Sequence, residues 1–287
     1  MNKTNLKKIA MKDVAIAISE DLKNGDITTN LLGKDKNKPR MAFVRSNENA
    51  IFCGKIWFDS TFKYIQKKYG GILKITWLKN DGDIIKPGQK ICKINAPLRT
   101  LLVSERTALN FIQFLSGISS KTRLYTKKMK TKKVKLLDTR KTIPGLRASQ
   151  KYAVKCGGGF NHRYGLYDQV LIKENHVTNE LIPYDEFLKK INKKISFRKV
   201  SIEVETLEEL KILIQYKPKN ILLDNFSLSD IKKATEIINR KTTSIEVSGN
   251  ININNIDKYS CLDIDFISIG DLTKNIHAID FSMLIDK

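Results

Sequence analysis

The chain has 287 residues, 41% of them apolar, so it can bury one large core or a large and a small one, and we expect one or two domains. Its formal net charge of +22 suggests a nucleic-acid partner, but the lysine runs Lys127–Lys135 and Lys189–Lys199 match no helix-turn-helix, zinc-finger or RNP pattern, so we expect none. The sequence has no run of eighteen apolar residues, so we expect no membrane span. Its four cysteines, Cys53, Cys92, Cys156 and Cys261, form no CxxC pair, which favours a reducing cytoplasm over a zinc ribbon or a disulfide framework.

The first hundred residues predict a small α+β domain. The opening segment MNKTNLKKIAMKDVAIAISEDL is interrupted by Lys12 and Asp13, which is typical of an amphipathic helix and not of a signal peptide. Short alternating segments follow, separated by the turn dipeptides Asp81-Gly82 and Pro87-Gly88 as in an antiparallel sheet. We predict an N-terminal α+β open-sandwich cap domain over residues 1–105, joined by the C-terminal segment 276–287, which could return to it as a strand or a helix.

A helical period begins near Ser104. Ser104 is a predicted N-cap, and Ala108, Phe111, Ile112, Leu115 and Ile118 fall on one stripe of the helix that follows. Arg106 would then lie in the first turn, where the helix dipole disfavours a cation by tenths of a kcal/mol. Such an arginine either serves something outside the helix or is simply solvated.

The rest of the chain, residues 106–275, divides into strand and helix units. Separations of roughly 20 to 35 residues between the candidate strand ends are typical of βα units. The strand ends are Asp138, Lys173, Glu203 or Glu205, Asp224, Ser248 and Gly270. Parallel strands with right-handed crossovers form an open sheet or a barrel. The available residues are fewer than the ~200 or more of a full eightfold barrel, so we predict an α/β fold with an incomplete β/α barrel.

Basic residues gather at the early strand ends. Between Leu137 and His176 the strings LDTRKTIPGLR and KYAVKCGGGFNHRYGLYDQVLIKENH place several cations on glycine-rich loops, each cluster beginning where a short apolar segment ends. Loops at that edge of parallel sheets bind ligands, so the pattern predicts a pocket for a polyanionic small molecule. A plain basic surface loop remains the alternative, because Lys and Arg make up 52 residues of the chain.

Later strand ends present different chemistry. Glu203 and Glu205 share one strand face, and Asp224 closes the next strand, so carboxylates follow the cations. Carboxylates near a pyrophosphate imply Mg²⁺, which takes oxygen ligands, although each could instead pair with a lysine. Ser248-Gly249-Asn250 and Gly270-Asp271 follow the last two strands, where backbone N–H groups of a barrel usually hold a phosphate. Ordinary turn chemistry is the alternative.

These strings resemble the quinolinate phosphoribosyltransferase family. The resemblance extends through SERTALNFIQFLSGIS, IEVETLEEL, ILLDNFS, IEVSGNI and ISIGDLT, and so covers nearly the whole chain. It implies a seven-stranded incomplete barrel as the phosphoribosyltransferase domain, Mg²⁺ as cofactor and a homodimer. The implied reaction converts quinolinate and 5-phosphoribosyl-1-pyrophosphate to nicotinate mononucleotide, carbon dioxide and pyrophosphate in NAD biosynthesis.

The resemblance also implies a role for each motif residue. Arg140, His162 and Arg163, with Arg106 from the partner subunit, would hold the two quinolinate carboxylates. Lys141 and Lys173 would lie near the reacting centre, and Glu203 and Asp224 would serve the ribose hydroxyls and the metal. The remaining substrate-binding residues are Thr139, Ser248, Gly249, Asn250 and Gly270, of which Ser248, Gly249 and Gly270 would bind the ribose phosphate. Glu203 is chosen over Glu205 on the resemblance alone.

Two related enzymes are the nearest alternatives. Nicotinate phosphoribosyltransferase acts on a monoacid and needs fewer arginines, so four arginine or histidine contacts favour the diacid. The other alternative is the related protein associated with molybdenum transport, against which the TRKT and HR motifs favour the quinolinate enzyme.

Overall fold

The computed structural model describes residues 3–178 and 182–286, so Met1, Asn2 and Lys287 of the predicted segments lie outside the described residues. The strands are β1 Pro39–Ser46, β2 Ala50–Ile51, β3 Lys74–Trp77, β4 Ile84–Ile85, β5 Lys90–Pro97, β6 Lys135–Leu137, β7 Leu171–Ile172, β8 Ser201–Val204, β9 Asn220–Asp224, β10 Ser244–Ser248, β11 Phe266–Ser268 and β12 Phe281–Ile285. The helices are α1 Lys3–Leu22, α2 Ile27–Asn30, α3 Lys55–Tyr69, α4 Leu98–Lys128, α5 Arg147–Cys156, α6 Glu174–Thr178, α7 Tyr184–Asn192, α8 Leu207–Leu213, α9 Leu228–Ile237, α10 Ile256–Tyr259 and α11 Asp271–Lys274.

The chain forms two compact units. The first comprises residues 1–123, 142–158 and 272–287, and the second comprises residues 124–141 and 159–271. The predicted domain boundary between residues 105 and 106 stays a prediction.

An antiparallel sheet builds the first unit. Its strand order is β12-β1-β5-β3, and the C-terminal strand β12 pairs with β1, with Ala42 opposite Ile285. The path of the last residues, which the sequence left open between strand and helix, is thus a strand. The sheet packs on a core that includes Phe52, Phe58 and Phe281.

The opening helix α1 is amphipathic, as its sequence predicts. Its buried residues recur every fourth position and therefore lie on one face: Leu6, Ala10, Val14, Ile18 and Leu22. Between them, the buried carboxylate of Asp13 accepts a hydrogen bond of 2.8 Å from Trp57 Nε1. Burial raises the pKa of Asp13 above its usual value.

The predicted start of the long helix is wrong. Helix α4 begins at Leu98, and Ser104 is buried inside it instead of capping it. Arg106 is therefore in the helix interior, and the dipole argument for an unfavourable cation does not apply. Pro97 precedes Leu98 directly, and its fixed φ suits a chain entering a helix.

A parallel sheet forms the centre of the second unit. Its strand order is β6-β11-β10-β9-β8-β7, with every neighbouring pair parallel. The register sets Ser248 beside Asp224 and Glu203 beside Leu222. The carboxyl ends of the strands consequently meet at one edge, where the sequence placed the candidate site residues.

The predicted α/β class with a parallel sheet is confirmed. Six strands form this sheet in the described part of the chain, and Phe160 adds an isolated parallel bridge to Leu137 beside β6. The glycines at 157–159 directly precede this bridge. Among the described residues, no helix has the length and apolarity needed to cross a membrane.

Candidate active site

A cavity of about 460 Å³ opens at the carboxyl edge of the parallel sheet. Predicted site residues from five strand ends and from the loop after Phe160 line it: Thr139, Arg140, Lys141, His162, Arg163, Lys173, Glu203, Asp224 and Ser248. Residues far apart in the sequence thus converge on one volume. This convergence favours the predicted pocket over the alternative of a plain basic surface loop.

A buried aspartate holds the loop that carries His162 and Arg163. Asp138 follows β6 and is fully buried; its Oδ1 accepts the His162 backbone N–H at 2.9 Å, and its Oδ2 accepts from Asn161 Nδ2 at 2.6 Å. A carboxylate that receives two such donors fixes both in place. The end of β6 therefore positions His162 and Arg163 near Arg140 and Lys141.

Two arginines share one end of the cavity. Arg163 is 8% exposed and donates from Nη1 to the Gln169 carbonyl at 2.8 Å. Burial, and then the like charge of neighbouring Arg140, lowers the pKa of Arg163. Two guanidinium groups that repel each other while partly desolvated are stabilised when an anion binds between them. This end of the cavity suits a carboxylate.

Lys173 and Glu203 line the cavity, and Glu174 interacts with Glu203. Lys173 Nζ contacts Glu203 Oε2 at 2.5 Å, and the Glu203 side chain is almost fully buried. Burial, followed by a hydrogen bond with Glu174, raises the pKa of Glu203 to about 7, although Lys173 opposes the shift. The same hydrogen bond lowers the pKa of Glu174.

Gly270 allows Lys141 to reach the cavity. A Cβ on Gly270 would lie 2.8 Å from Lys141 Cδ and 3.4 Å from Thr139 Oγ1. Thr139 Oγ1 in turn accepts the Lys141 backbone N–H at 3.0 Å. A side chain at position 270 would thus displace the lysine stem.

The turn after β10 is built around Asn225. Gly249 has φ of +89° and Asn250 has φ of +54°, both on the left-handed side of backbone space. The Asn225 side chain accepts from Asn250 Nδ2 at 3.2 Å and donates to Asp224 Oδ2 at 2.9 Å. The turn that contains Ser248 is therefore linked to a carboxylate of the cavity.

Some predicted residues lie elsewhere. Arg106 lines a different cavity of about 270 Å³ in the first unit, together with Glu20 and Asn110. Glu205 follows the end of β8, where its backbone N–H donates to Glu209 Oε2, whereas Glu203 lines the cavity. The structure thus distinguishes the two glutamates that strand alternation left equivalent.

The sequence analysis missed four residues that line the cavity: Leu171, Leu222, Glu246 and Ser268. Glu246 is 2% exposed. A signal was available, because an acidic residue between Ile245 and Val247 in an apolar strand repeats the pattern of Glu203 between Ile202 and Val204.

Glu203 and Asp224 fit only the simplest kind of magnesium site. Within residues 3–178 and 182–286, no group of three or more His, Cys, Asp or Glu side chains could hold a metal. Mg²⁺ is, however, often bound by one or two carboxylates together with substrate phosphates. Two carboxylates that line one cavity match that mode.

A parallel α/β sheet with a cationic, carboxylate-containing cavity at its strand ends defines an enzyme for a small polyanionic substrate. The model of the quinolinate phosphoribosyl transferase N-terminal domain matches residues 26–116, and that of the C-terminal domain matches residues 118–284. The chain belongs to the quinolinate phosphoribosyltransferase family, which confirms the resemblance and the assignment as an enzyme.

Several known proteins match this chain over almost their full length. The chain is 37% identical to the probable carboxylating nicotinate-nucleotide pyrophosphorylase of Methanocaldococcus jannaschii, covering 97% of this chain and 98% of the relative. It is 32% identical to the probable carboxylating enzyme of Bacillus subtilis, covering 99% and 94%. The structure of the nicotinate-nucleotide pyrophosphorylase from Francisella tularensis matches with a TM-score of 0.89 and 40% identity, covering 98% and 97%.

Proposed function

We propose that the chain transfers the phosphoribosyl group of 5-phosphoribosyl-1-pyrophosphate to the ring nitrogen of quinolinate and releases pyrophosphate and carbon dioxide. The product is nicotinate mononucleotide, and the reaction belongs to NAD biosynthesis. One observation carries the proposal: arginines, lysines and carboxylates from separate strands line a single cavity in a chain of this family.

The arginine end of the cavity takes the diacid. Arg140 and Arg163 are close enough for their charges to interact, and Arg163 is buried. Guanidinium groups bind carboxylates through paired hydrogen bonds. With His162 beside them and Arg106 from a partner subunit, they bind the two carboxylates of quinolinate.

The lysines and the turn glycines serve the sugar phosphate. Lys141 and Lys173 neutralise charge near the departing pyrophosphate, as preorganised cations do in transition states. Thr139, Ser248, Gly249, Asn250 and Gly270 surround the ribose phosphate. Gly249 and Gly270 support this role, because their lack of a side chain leaves room for Asn225 and Lys141 to lie against the turns that would hold the phosphate.

Glu203 and Asp224 act on the ribose. They face its hydroxyl groups and favour positive charge at the anomeric carbon while the bond to pyrophosphate breaks and the bond to the pyridine nitrogen forms. The same two carboxylates are the proposed magnesium ligands. Bound Mg²⁺ supplies positive charge to the pyrophosphate oxygens.

Decarboxylation follows the transfer. The carboxylate next to the ring nitrogen leaves as carbon dioxide, and its bonding electron pair stays on the ring carbon, which then takes a proton. The pyridinium formed by the transfer stabilises that electron pair, and the cation of Lys141 or Lys173, both of which line the cavity, assists. The protein supplies no nucleophile, because the substrate nitrogen attacks.

The functional unit in our proposal is a homodimer with Arg106 shared across the interface. Arg106 is exposed on α4 of the first unit. The same unit exposes the large apolar side chains of Ile27 and Leu31, at 82% and 81% of their surface. Exposed apolar side chains of this kind support an interface between subunits.

We also propose an incomplete barrel and a cytoplasmic location. The isolated bridge at Phe160 provides a seventh position beside the six strands and supports the seven-stranded form. Cys53 and Cys92 are buried free thiols, which suits a reducing compartment.

Pyrophosphate release tests the function. The purified protein is mixed with phosphoribosyl pyrophosphate, Mg²⁺ and either quinolinate or nicotinate. We expect release with quinolinate and little or none with nicotinate. Equal or faster release with nicotinate would contradict the proposal.

A further inference from the structure

Glu246 is an unexpected residue in a cavity for anions. It lies in the middle of β10, its side chain is 3% exposed, and it lines the cavity together with the arginines. A buried carboxylate is destabilising unless it is paired or accepts hydrogen bonds. Its contacts therefore indicate what it does.

Two nitrogen donors face the carboxylate of Glu246. Asn220 Nδ2 donates to its Oε2 at 3.3 Å, and His162 Nε2 lies 3.3 Å from its Oε1. Oε1 makes no aligned hydrogen bond with the residues that the structure describes, and His162 Nε2 is the donor at ion-pair distance from it. The carboxylate of Glu246 thus lies against the His162 ring at ion-pair distance.

The contact of the other ring nitrogen shows which tautomer of His162 is present. His162 Nδ1 accepts the backbone N–H of Arg163 at 2.7 Å, so it carries no hydrogen. The ring hydrogen must then be on Nε2, the nitrogen that faces Glu246. One imidazole consequently connects Glu246 to the backbone of Arg163.

A second path connects Glu246 to the same arginine. It runs through three hydrogen bonds: Asn220 Nδ2 donates to Ser201 Oγ at 3.1 Å, Gln169 Nε2 donates to Ser201 Oγ at 2.8 Å, and Arg163 Nη1 donates to the Gln169 carbonyl at 2.8 Å. The network thus reaches both the backbone and the guanidinium of Arg163. Closed networks of this kind hold their members rigidly.

We propose that Glu246 is a positioning residue for the diacid: it holds His162 as the Nε2–H tautomer and, through His162 and Asn220, fixes Arg163 against the substrate carboxylate. The proposal deepens the proposed function and rests on it. Because Glu246 acts on the arginine end of the cavity, its loss affects quinolinate binding and leaves the binding of phosphoribosyl pyrophosphate unchanged.

The variant Glu246→Gln tests whether the side chain at position 246 must present two acceptor oxygens. An amide has one oxygen and one NH₂ group, and both positions face donors, so either orientation of Gln sets NH₂ against an N–H. We expect KM for quinolinate to rise about five- to 150-fold, the range that the loss of one buried hydrogen bond produces. KM for phosphoribosyl pyrophosphate should stay unchanged. The exposed Glu236→Gln on α9 is the matched control and should behave as wild type.

A second substitution should restore the hydrogen-bond pattern. With Asn220→Asp added to Glu246→Gln, the new carboxylate accepts from the Gln NH₂ group, and the Gln oxygen accepts from His162 Nε2–H. The hydroxyls of Ser201 and Ser244 can rotate to donate to position 220. We expect the double variant to recover most of the quinolinate KM. A general loss of stability in the single variant would not be repaired in this way.

The tautomer can be measured without activity. The chain has three histidines, so long-range ¹H–¹⁵N NMR spectra of wild type, His176→Gln and His277→Gln assign His162 by difference. We expect the Nε2–H pattern in wild type and its loss in Glu246→Gln. An Nδ1–H pattern in wild type, or a wild-type quinolinate KM in Glu246→Gln, would overturn the inference. If the wild type does not turn over quinolinate at all, the proposed function fails, and the NMR result still decides the Glu246–His162 contact.

Discussion

Replacing Gly249 with alanine should both destabilise the protein and weaken binding of phosphoribosyl pyrophosphate. Gly249 has φ of +89°, and an L residue on the left-handed side costs roughly 1–2 kcal/mol. The added Cβ would also lie 2.1 Å from Asn225 Oδ1 and 2.7 Å from the Asn225 backbone nitrogen. Forcing Asn225 aside adds about 1–3 kcal/mol, the usual result of overpacking.

Gly88 provides the matched control. Its φ is +77°, and a Cβ there would meet nothing within 4 Å. Gly88→Ala therefore has only the free-energy cost of the left-handed backbone. The difference in stability between the two variants isolates the cost of the contact with Asn225. Each kcal/mol lowers the thermal midpoint by about 2–4 °C in a protein of 150–250 residues, so Gly249→Ala should unfold several degrees below Gly88→Ala.

The functional effect follows from the same contact. Asn225 donates to Asp224 Oδ2 and accepts from Asn250. Its displacement therefore moves both Asp224, the proposed ribose-binding carboxylate, and the turn after β10, the proposed phosphate site. We expect KM for phosphoribosyl pyrophosphate to rise at least about tenfold in Gly249→Ala, which corresponds to about 1.4 kcal/mol, and to stay unchanged in Gly88→Ala. Equal thermal midpoints for the two variants, with equal KM, would refute the reasoning.

Three further predictions concern the cavity and the dimer. Lys141→Ala should lose on the order of a hundredfold or more in turnover while remaining folded by circular dichroism, whereas the exposed Lys211→Ala should match wild type; a fully active Lys141→Ala would remove that residue from the mechanism. Mixing inactive Arg106→Ala with inactive Lys141→Ala should restore activity through hybrid dimers, and subunits that exchange without regaining activity would exclude a shared site. Because burial raises the pKa of Glu203 from 4.5 to about 7, the native state keeps a proton that the unfolded state has released, so this group makes stability fall as pH rises from about 4.5 to about 7. Thermal midpoints at pH 5 and pH 8, without Mg²⁺ or substrates, should differ less in Glu203→Gln than in wild type, and an identical difference would contradict the shift.

Much of the site could be predicted from local sequence because its residues lie at strand ends. A short apolar segment followed by a polar residue, as in ILLD before Asn225, marks the end of a parallel strand, and parallel strands bring those ends to one edge. Asp138, Lys173 and Ser248 follow this rule. The meeting of Lys173 and Ser248 in one cavity depends on the strand order, which the sequence analysis did not predict.

Other features depend on tertiary contacts that no local pattern reports. Glu246 is held by Asn220 and His162, which are distant in sequence, so its role could not be recognised from IEVSGN alone. Ser104 is a good N-cap by local preference, but the helix begins at Leu98, and the burial of Leu101 in the core favours the longer helix. Glu203 and Glu205 share a strand face, and only the end of β8 at Val204 distinguishes them.

The stoichiometry of a single reaction tests the central claim most directly, because the cavity is proposed to hold a diacid that loses one carboxylate after transfer. Quinolinate labelled with ¹³C in the carboxylate next to the ring nitrogen is incubated with the protein, phosphoribosyl pyrophosphate and Mg²⁺, and labelled carbon dioxide and pyrophosphate are quantified together. We predict equal amounts of both, with unlabelled nicotinate mononucleotide as the remaining product. Pyrophosphate released without labelled carbon dioxide would contradict the account.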